Sequence, residues 1–196
     1  MRHFRHDLPL RWSASDLAEQ QAFATQNIAA GDWLDWSSDT AAMDLVQAAM
    51  GQPFYPQPGV FGSILLASPV AEMIPPELLF SSAARQLGPG KRLVAILPCV
   101  RDNSPESWLF CRQAEKLFWP YHPAEELLET LRDAGWEPDP EQSRFHPVTP
   151  FKTAVLADKL GFKGFRRVFD QLEAEGYDPM EIGWGELRVV ATRAEE

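Results

Sequence analysis

Sulfur is scarce in this chain. Two cysteines, Cys99 and Cys111, stand among 196 residues, which excludes a disulfide-stapled scaffold and points to a reduced, cytoplasmic setting. Positive charge is short too: 18 Lys and Arg face 28 Asp and Glu, for a net charge of −10. A nucleic-acid partner needs a basic face against its phosphates, so that class is excluded. No apolar run nears the ~20 residues of a membrane-spanning helix. The opening Met1-Arg-His-Phe-Arg-His-Asp7 leads into no apolar stretch of the kind a secretory signal carries. The histidines are dispersed: His3 and His6 lie beside Asp7 near the start, and His122 and His146 have no ligand-rich neighbours. No metal is expected. Repeats and low-complexity segments are also lacking.

What is present is apolar content, at 45% of the chain, enough for one well-filled domain over residues 1–196. The organising stretch is Val60 to Cys99. Phe61 to Ala67 is an almost unbroken apolar run between Pro58-Gly59 and Ser68-Pro69, as expected of a strand covered on both faces. Pro75-Pro76 open a helix, a position where the missing N–H costs nothing. Leu78, Leu79, Ala83 and Leu87 recur at helical spacing, and Gly88-Pro89-Gly90 ends it. Leu93 to Leu97 is a second buried strand, so the unit predicts a right-handed crossover in a parallel sheet.

Around this unit the pattern predicts a weak first strand at Leu8-Pro9-Leu10 and a helix from Leu17 to about Asn27, capped by Ser15 or Asp16. A strand follows at Trp33–Trp36. Thr40 to Met50 fits a helix or a short strand, and Gln52 to Gly59 is loop. Asn103-Ser104-Pro105-Glu106 starts a helix to about Phe118, and Ala124 to Ala134 is an amphipathic helix with Leu127, Leu128 and Leu131 inward. Trp136 to Pro140 reads as loop and Arg144 to Val148 as a short strand. Two helices, about Pro150–Leu160 and Gly164–Glu175, precede a final strand at Glu186–Arg193, rich in β-branched residues. Such alternation defines an α/β protein with a mostly parallel sheet, the last strand being the candidate antiparallel member.

Three segments, in order, carry a resemblance: Phe61-Gly-Ser-Ile-Leu-Leu-Ala-Ser68, Ala84-Arg-Gln-Leu-Gly-Pro-Gly-Lys-Arg-Leu-Val94 and Glu126-Leu-Leu-Glu-Thr-Leu-Arg-Asp-Ala-Gly-Trp136. With Leu187–Arg193 they resemble the second half of the class I S-adenosylmethionine-dependent methyltransferases: fourth strand, helix, glycine turn, fifth strand, helix and closing strands. Pro53-Phe54 resembles the Pro-Phe that precedes the fourth strand in many members. The resemblance implies a Rossmann-like fold with helices on both faces, residues 1–59 forming the cofactor half and 60–196 the substrate half. Extra helices are expected before the last strand.

The first half departs from the family. Its members bring the cofactor's methionine end against a Gly-x-Gly-x-Gly turn after the first strand, where bare backbone and unusual dihedrals are needed. Counted back from Asp35, that turn falls at Arg11–Asp16, Arg-Trp-Ser-Ala-Ser-Asp, which has no glycine. Asp35 resembles the acid at the end of the second strand that holds the ribose hydroxyls, with a solvated loop aspartate as the other reading. No carboxylate stands near Ala48, where the adenine contact belongs, and Gly62 replaces the fourth-strand aspartate. The resemblance thus implies a cofactor site of Ser13, Ser15, Asp35, Pro53, Phe54 and Ser68. Glu72 is the one acid or base near the expected substrate pocket.

Two functions follow as expectations. One is a methyltransferase-like protein with an eroded S-adenosylmethionine site, non-catalytic, that binds a protein or small ligand, or serves as a regulatory subunit in a homo- or hetero-oligomer. The other is an active methyltransferase on a small molecule, with an unusual Ser-Ala-Ser turn. Lys159, Lys163, Arg166 and Arg167, interleaved with Phe162, Phe165 and Phe169, form either a dock for an acidic partner or a solvated helix face. Cys99 follows a strand's carboxyl end as a structural thiol or, given a paired histidine, a nucleophile.

Overall fold

A computed structural model describes residues 14–37, 61–67, 71, 74–117, 121–147, 163–178 and 182–195. The strand expected at Leu8–Leu10, the segment Thr40–Met50 and the helix at Pro150–Leu160 lie outside them. Five helices are described, α1 (Ala14–Asn27), α2 (Pro76–Gln86), α3 (Pro105–Leu117), α4 (Ala124–Asp133) and α5 (Lys163–Ala174). The strands are β1 (Trp33–Trp36), β2 (Ser63–Leu66), β3 (Arg92–Val100), β4 (Trp136–Pro138), β5 (Arg144–Pro147) and β6 (Trp184–Arg193).

The six strands form one sheet in the order β1-β2-β3-β6-β4, with β5 also against β6. β1, β2 and β3 run parallel, and β6 is antiparallel to its neighbours. The β2–α2–β3 unit forms as the apolar runs require. Pro76 is the first residue of α2, and Leu79, Phe80 and Ala83 turn inward. Gly90 takes φ +73 in the return turn, a conformation favouring glycine.

Side-chain alternation divides the sheet into two faces. Ile64, Leu66, Leu93, Ala95, Leu97, Leu187 and Val189 share one core with Leu79 and Phe80 of α2 and Leu127 and Leu131 of α4. The opposite face carries Leu65, Ile96, Glu186 and Arg188 and meets α1. That helix runs antiparallel to β3, because its Asn27 carbonyl accepts from Arg92 Nη1 at the strand's start (3.1 Å) while Gln20 reaches Glu186, opposite Pro98 near its end. A second core joins α3 and α5 through Leu109, Phe110, Val168, Phe169 and Leu172, with Val100 and Tyr121 beneath.

Three expectations are corrected. Ser15 and Asp16 do not cap α1 from outside; the helix begins at Ala14 and contains them. Trp136–Pro138 is a strand, not loop: its indole is 1% exposed and donates to the Phe80 carbonyl at 3.1 Å. The turn at Asp139, whose Oδ1 accepts from the Glu141 and Gln142 amides, then lets β5 resume along the same edge of β6. Finally, β1 pairs directly with β2, Asp35 opposite Leu65. In a doubly wound sheet of order 3-2-1-4-5-6 the strand beside the fourth is the first. With β2 and β3 as fourth and fifth, Trp33–Trp36 takes the first-strand place rather than the second.

Candidate functional site

Open α/β sheets bind ligands outside the carboxyl ends of their parallel strands. At the end of β1, Asp35 is exposed and its side chain bonds two residues ahead. Its Oδ1 accepts the Ser37 amide at 2.9 Å and also the Ser37 hydroxyl. Beside it Trp36 is buried in the main core, whereas Trp33, 40% exposed, stands on the other face. There a groove of about 380 Å³ runs between α1 and the sheet, walled by Gln20, Ala24, Trp33, Ser37, Leu65 and Ile96.

Deeper on this face lies a charged network. Glu186 is 1% exposed; its Oε1 accepts from Arg188 Nε and its Oε2 from Gln20 Nε2, each at 2.5 Å. Arg188 Nη2 also reaches Glu19 at 3.3 Å. Burial of this kind costs several kcal/mol per ion unless hydrogen bonds replace the lost water, and here helix and sheet both supply them. His146 lies opposite Glu186 across β5–β6. Desolvation first, then the charges of Arg188 and Arg144 against a counteracting Glu19, hold its imidazole below the ordinary value. The pattern of the final strand hid this network, since charges alternating with apolar residues ordinarily face water.

Beyond β3, the His122 carbonyl accepts the Val100 amide at 3.1 Å. His122 Nδ1 lies 3.0 Å from Glu126 Oε1 on the first turn of α4. The i, i+4 spacing was visible in the sequence, but the pairing depends on where α4 begins. Neither thiol is poised for nucleophilic work. Burial drives the Cys99 thiol far above its ordinary value, and burial reinforced by the Glu126 carboxylate pushes Cys111 up to about 12.

Of the residues expected to hold cofactor, Ser13, Pro53, Phe54 and Ser68 lie outside the described residues, as does Glu72. Ser15 has its backbone in α1, a helix that precedes β1. Asp35 does stand at a parallel strand's carboxyl end. In the basic cluster, Lys159 and Phe162 lie outside the described residues and Lys163, Arg166 and Arg167 fall on α5, where Phe169 is buried. Among the described residues no group of three or more His, Cys, Asp or Glu could hold a metal ion, and no helix is long and apolar enough to cross a membrane.

No family profile and no curated protein matches the sequence. Solved structures do match in shape. A putative methyltransferase from Bacillus halodurans superposes with TM-score 0.57 at 12% identity, covering 93% of this chain and 100% of that one. The [4+2]-cyclase SpnF gives 0.56 at 15% identity, over 95% and 84% of the two chains. Geranyl diphosphate C-methyltransferase from Streptomyces coelicolor, solved with Mg2+, geranyl diphosphate and S-adenosyl-L-homocysteine, gives 0.53 at 13% identity, over 91% and 78%. At such identities the likeness shows the fold: this is the Rossmann-like fold of the class I S-adenosylmethionine-dependent methyltransferases.

Proposed function

We propose that this chain keeps the methyltransferase fold without the cofactor site and works by binding a protein or small ligand rather than by transferring a methyl group. One observation carries the reading. With β1 in the first-strand place, the family's glycine turn would fall by sequence position at 37–42, Ser-Ser-Asp-Thr-Ala-Ala, not at 11–16, and no glycine lies between Gly31 and Gly51. That stretch has side chains where the family has glycines, and Asp35 spends its Oδ1 on Ser37. Forcing a ligand against such a turn costs about 1–3 kcal/mol through overpacking alone. Methyl transfer depends on holding donor and acceptor in line, so loose placement removes its main source of rate.

SpnF, by its name a [4+2]-cyclase, supports the view that the fold is not tied to methyl transfer. The second reading, an active methyltransferase on a small molecule, draws on Asp35, which stands at the carboxyl end of β1 with its side chain exposed. Isothermal titration with S-adenosylmethionine separates the two. Silence at millimolar cofactor is expected; micromolar binding that is lost in Asp35→Ala would overturn the proposal. Co-purification from the native host tests for a protein partner or an oligomer, and a recurrent stoichiometric partner is the expected outcome if the ligand is a protein.

A further inference from the structure

The helices on one face of the sheet are seated by apolar side chains: Leu79, Phe80 and Ala83 of α2 and Ala124, Leu127 and Leu131 of α4 are buried. On the opposite face α1 is seated differently. Across residues 18–27 of this helix only Ala24 is buried. Its links to the sheet are polar: Gln20 to Glu186, Glu19 to Arg188 at 3.3 Å, and the Asn27 carbonyl to Arg92 at 3.1 Å. Beside the helix the groove of about 380 Å³ stays open, with Trp33, Leu65 and Ile96 in its wall. The bonds to Glu186 and Arg188 replace water that these ions would hold if α1 were lifted, so they add little net free energy to its seating. An apolar seat gains about 25 cal/mol for each Å² removed from water, a gain that α1 largely forgoes.

We infer that α1 is a strap: it lifts from the sheet as one unit, pivoting at its C-terminal end, and so opens and closes the groove. The pivot is built into the connection. Gly31 joins α1 to β1 at φ +117, a conformation that favours glycine, with open space where a Cβ would stand. Arg92 holds the same end of the helix at Asn27. The end that swings carries Glu19 and Gln20. Lifting it returns Glu186 and Arg188 to water without parting them, since their mutual bond lies within β6, and it bares Leu65 and Ile96. Local openings draw on segments with few buried apolar contacts, as here. The strap does not depend on whether S-adenosylmethionine binds.

The test is amide hydrogen exchange of the full chain, followed by 1H–15N NMR at urea concentrations below its unfolding transition. The amides of residues 20–27 are expected to share one opening equilibrium, at least about a hundredfold more populated than the opening of β3 and β6 and only weakly dependent on urea. A variant carrying Gln20→Leu, Glu186→Leu and Arg188→Met together gives α1 an apolar seat, and its α1 opening should be at least about tenfold rarer. Exchange of α1 in one global step with β3 and β6 would overturn the inference. So would protection that decays residue by residue from the start of the helix, which is fraying. A folded triple variant, its β3 amides still protected, in which α1 opens as often as in the parent would overturn it too. Where the triple variant does not fold, exchange in the wild type decides alone.

Discussion

Arg188 Nε donates to Glu186 Oε1 at 2.5 Å, an ion pair two residues apart on one strand and buried beneath α1. Gln20 completes it from the helix, so the network ties the N-terminal half of the chain to its last strand. Removing one partner strands a buried charge, which typically costs 3–5 kcal/mol, about the cost of a large cavity. Arg188→Met is therefore expected to destabilise by about 3 kcal/mol or more. The double change Glu186→Leu with Arg188→Met should recover most of that loss in urea denaturation, because no buried charge is left unpaired and the released Glu19 is exposed.

His146 gives the same region a pH dependence. Its folded pKa lies below the ordinary 6.5, through burial and through Arg188 and Arg144, with Glu19 opposing. In the acid range the unfolded chain therefore binds the extra proton more readily than the folded one. Its effect on stability is nil well above 6.5 and becomes a growing penalty as pH falls through that value toward the lower folded pKa. Denaturation midpoints measured between pH 7.5 and 5 should fall less steeply in His146→Gln than in the parent.

The thiols should resist alkylation. With Cys111 pushed up to about 12 and Cys99 higher still, almost no thiolate exists at pH 8. Iodoacetamide should label the native protein far more slowly than free glutathione, and label both thiols quickly in denaturant. Rapid labelling of native Cys99 would revive a nucleophilic role.

Trp136 is the plug between α2 and α4. Trp136→Phe removes the second donor to the Phe80 carbonyl, which α2 also uses within the helix, and loss of one such hydrogen bond costs about 0.5–1.5 kcal/mol. Trp136→Ala adds a cavity and should cost about 3–5 kcal/mol in the same denaturation assay.

Strong periodicity and punctuation made β2, α2, β3 and α4 legible, since Pro75-Pro76, Gly88-Pro89-Gly90 and Gly135 each fix a boundary by their own backbone chemistry. β4 was hidden because three residues ending in Pro138 carry no alternation; its pairing is set by Trp136 seeking the core. The place of β1 was hidden for a different reason. Strand order is a long-range property, and Leu34-Asp35 looks the same locally beside a first or a fourth strand. With β1 beside β2, the position that the resemblance assigns to the glycine turn moves in the sequence from 11–16 to 37–42, and neither stretch has a glycine. Glu186 and Arg188 escaped notice because a helix, not water, covers them.

The central proposal is that a chain with no glycine between Gly31 and Gly51 does not take up S-adenosylmethionine. Equilibrium dialysis of the purified protein against methyl-tritiated S-adenosylmethionine tests it most directly. The account predicts equal radioactivity on both sides of the membrane up to millimolar ligand. One equivalent retained per chain at micromolar concentration, displaced by S-adenosylhomocysteine and abolished in Asp35→Ala, would contradict it.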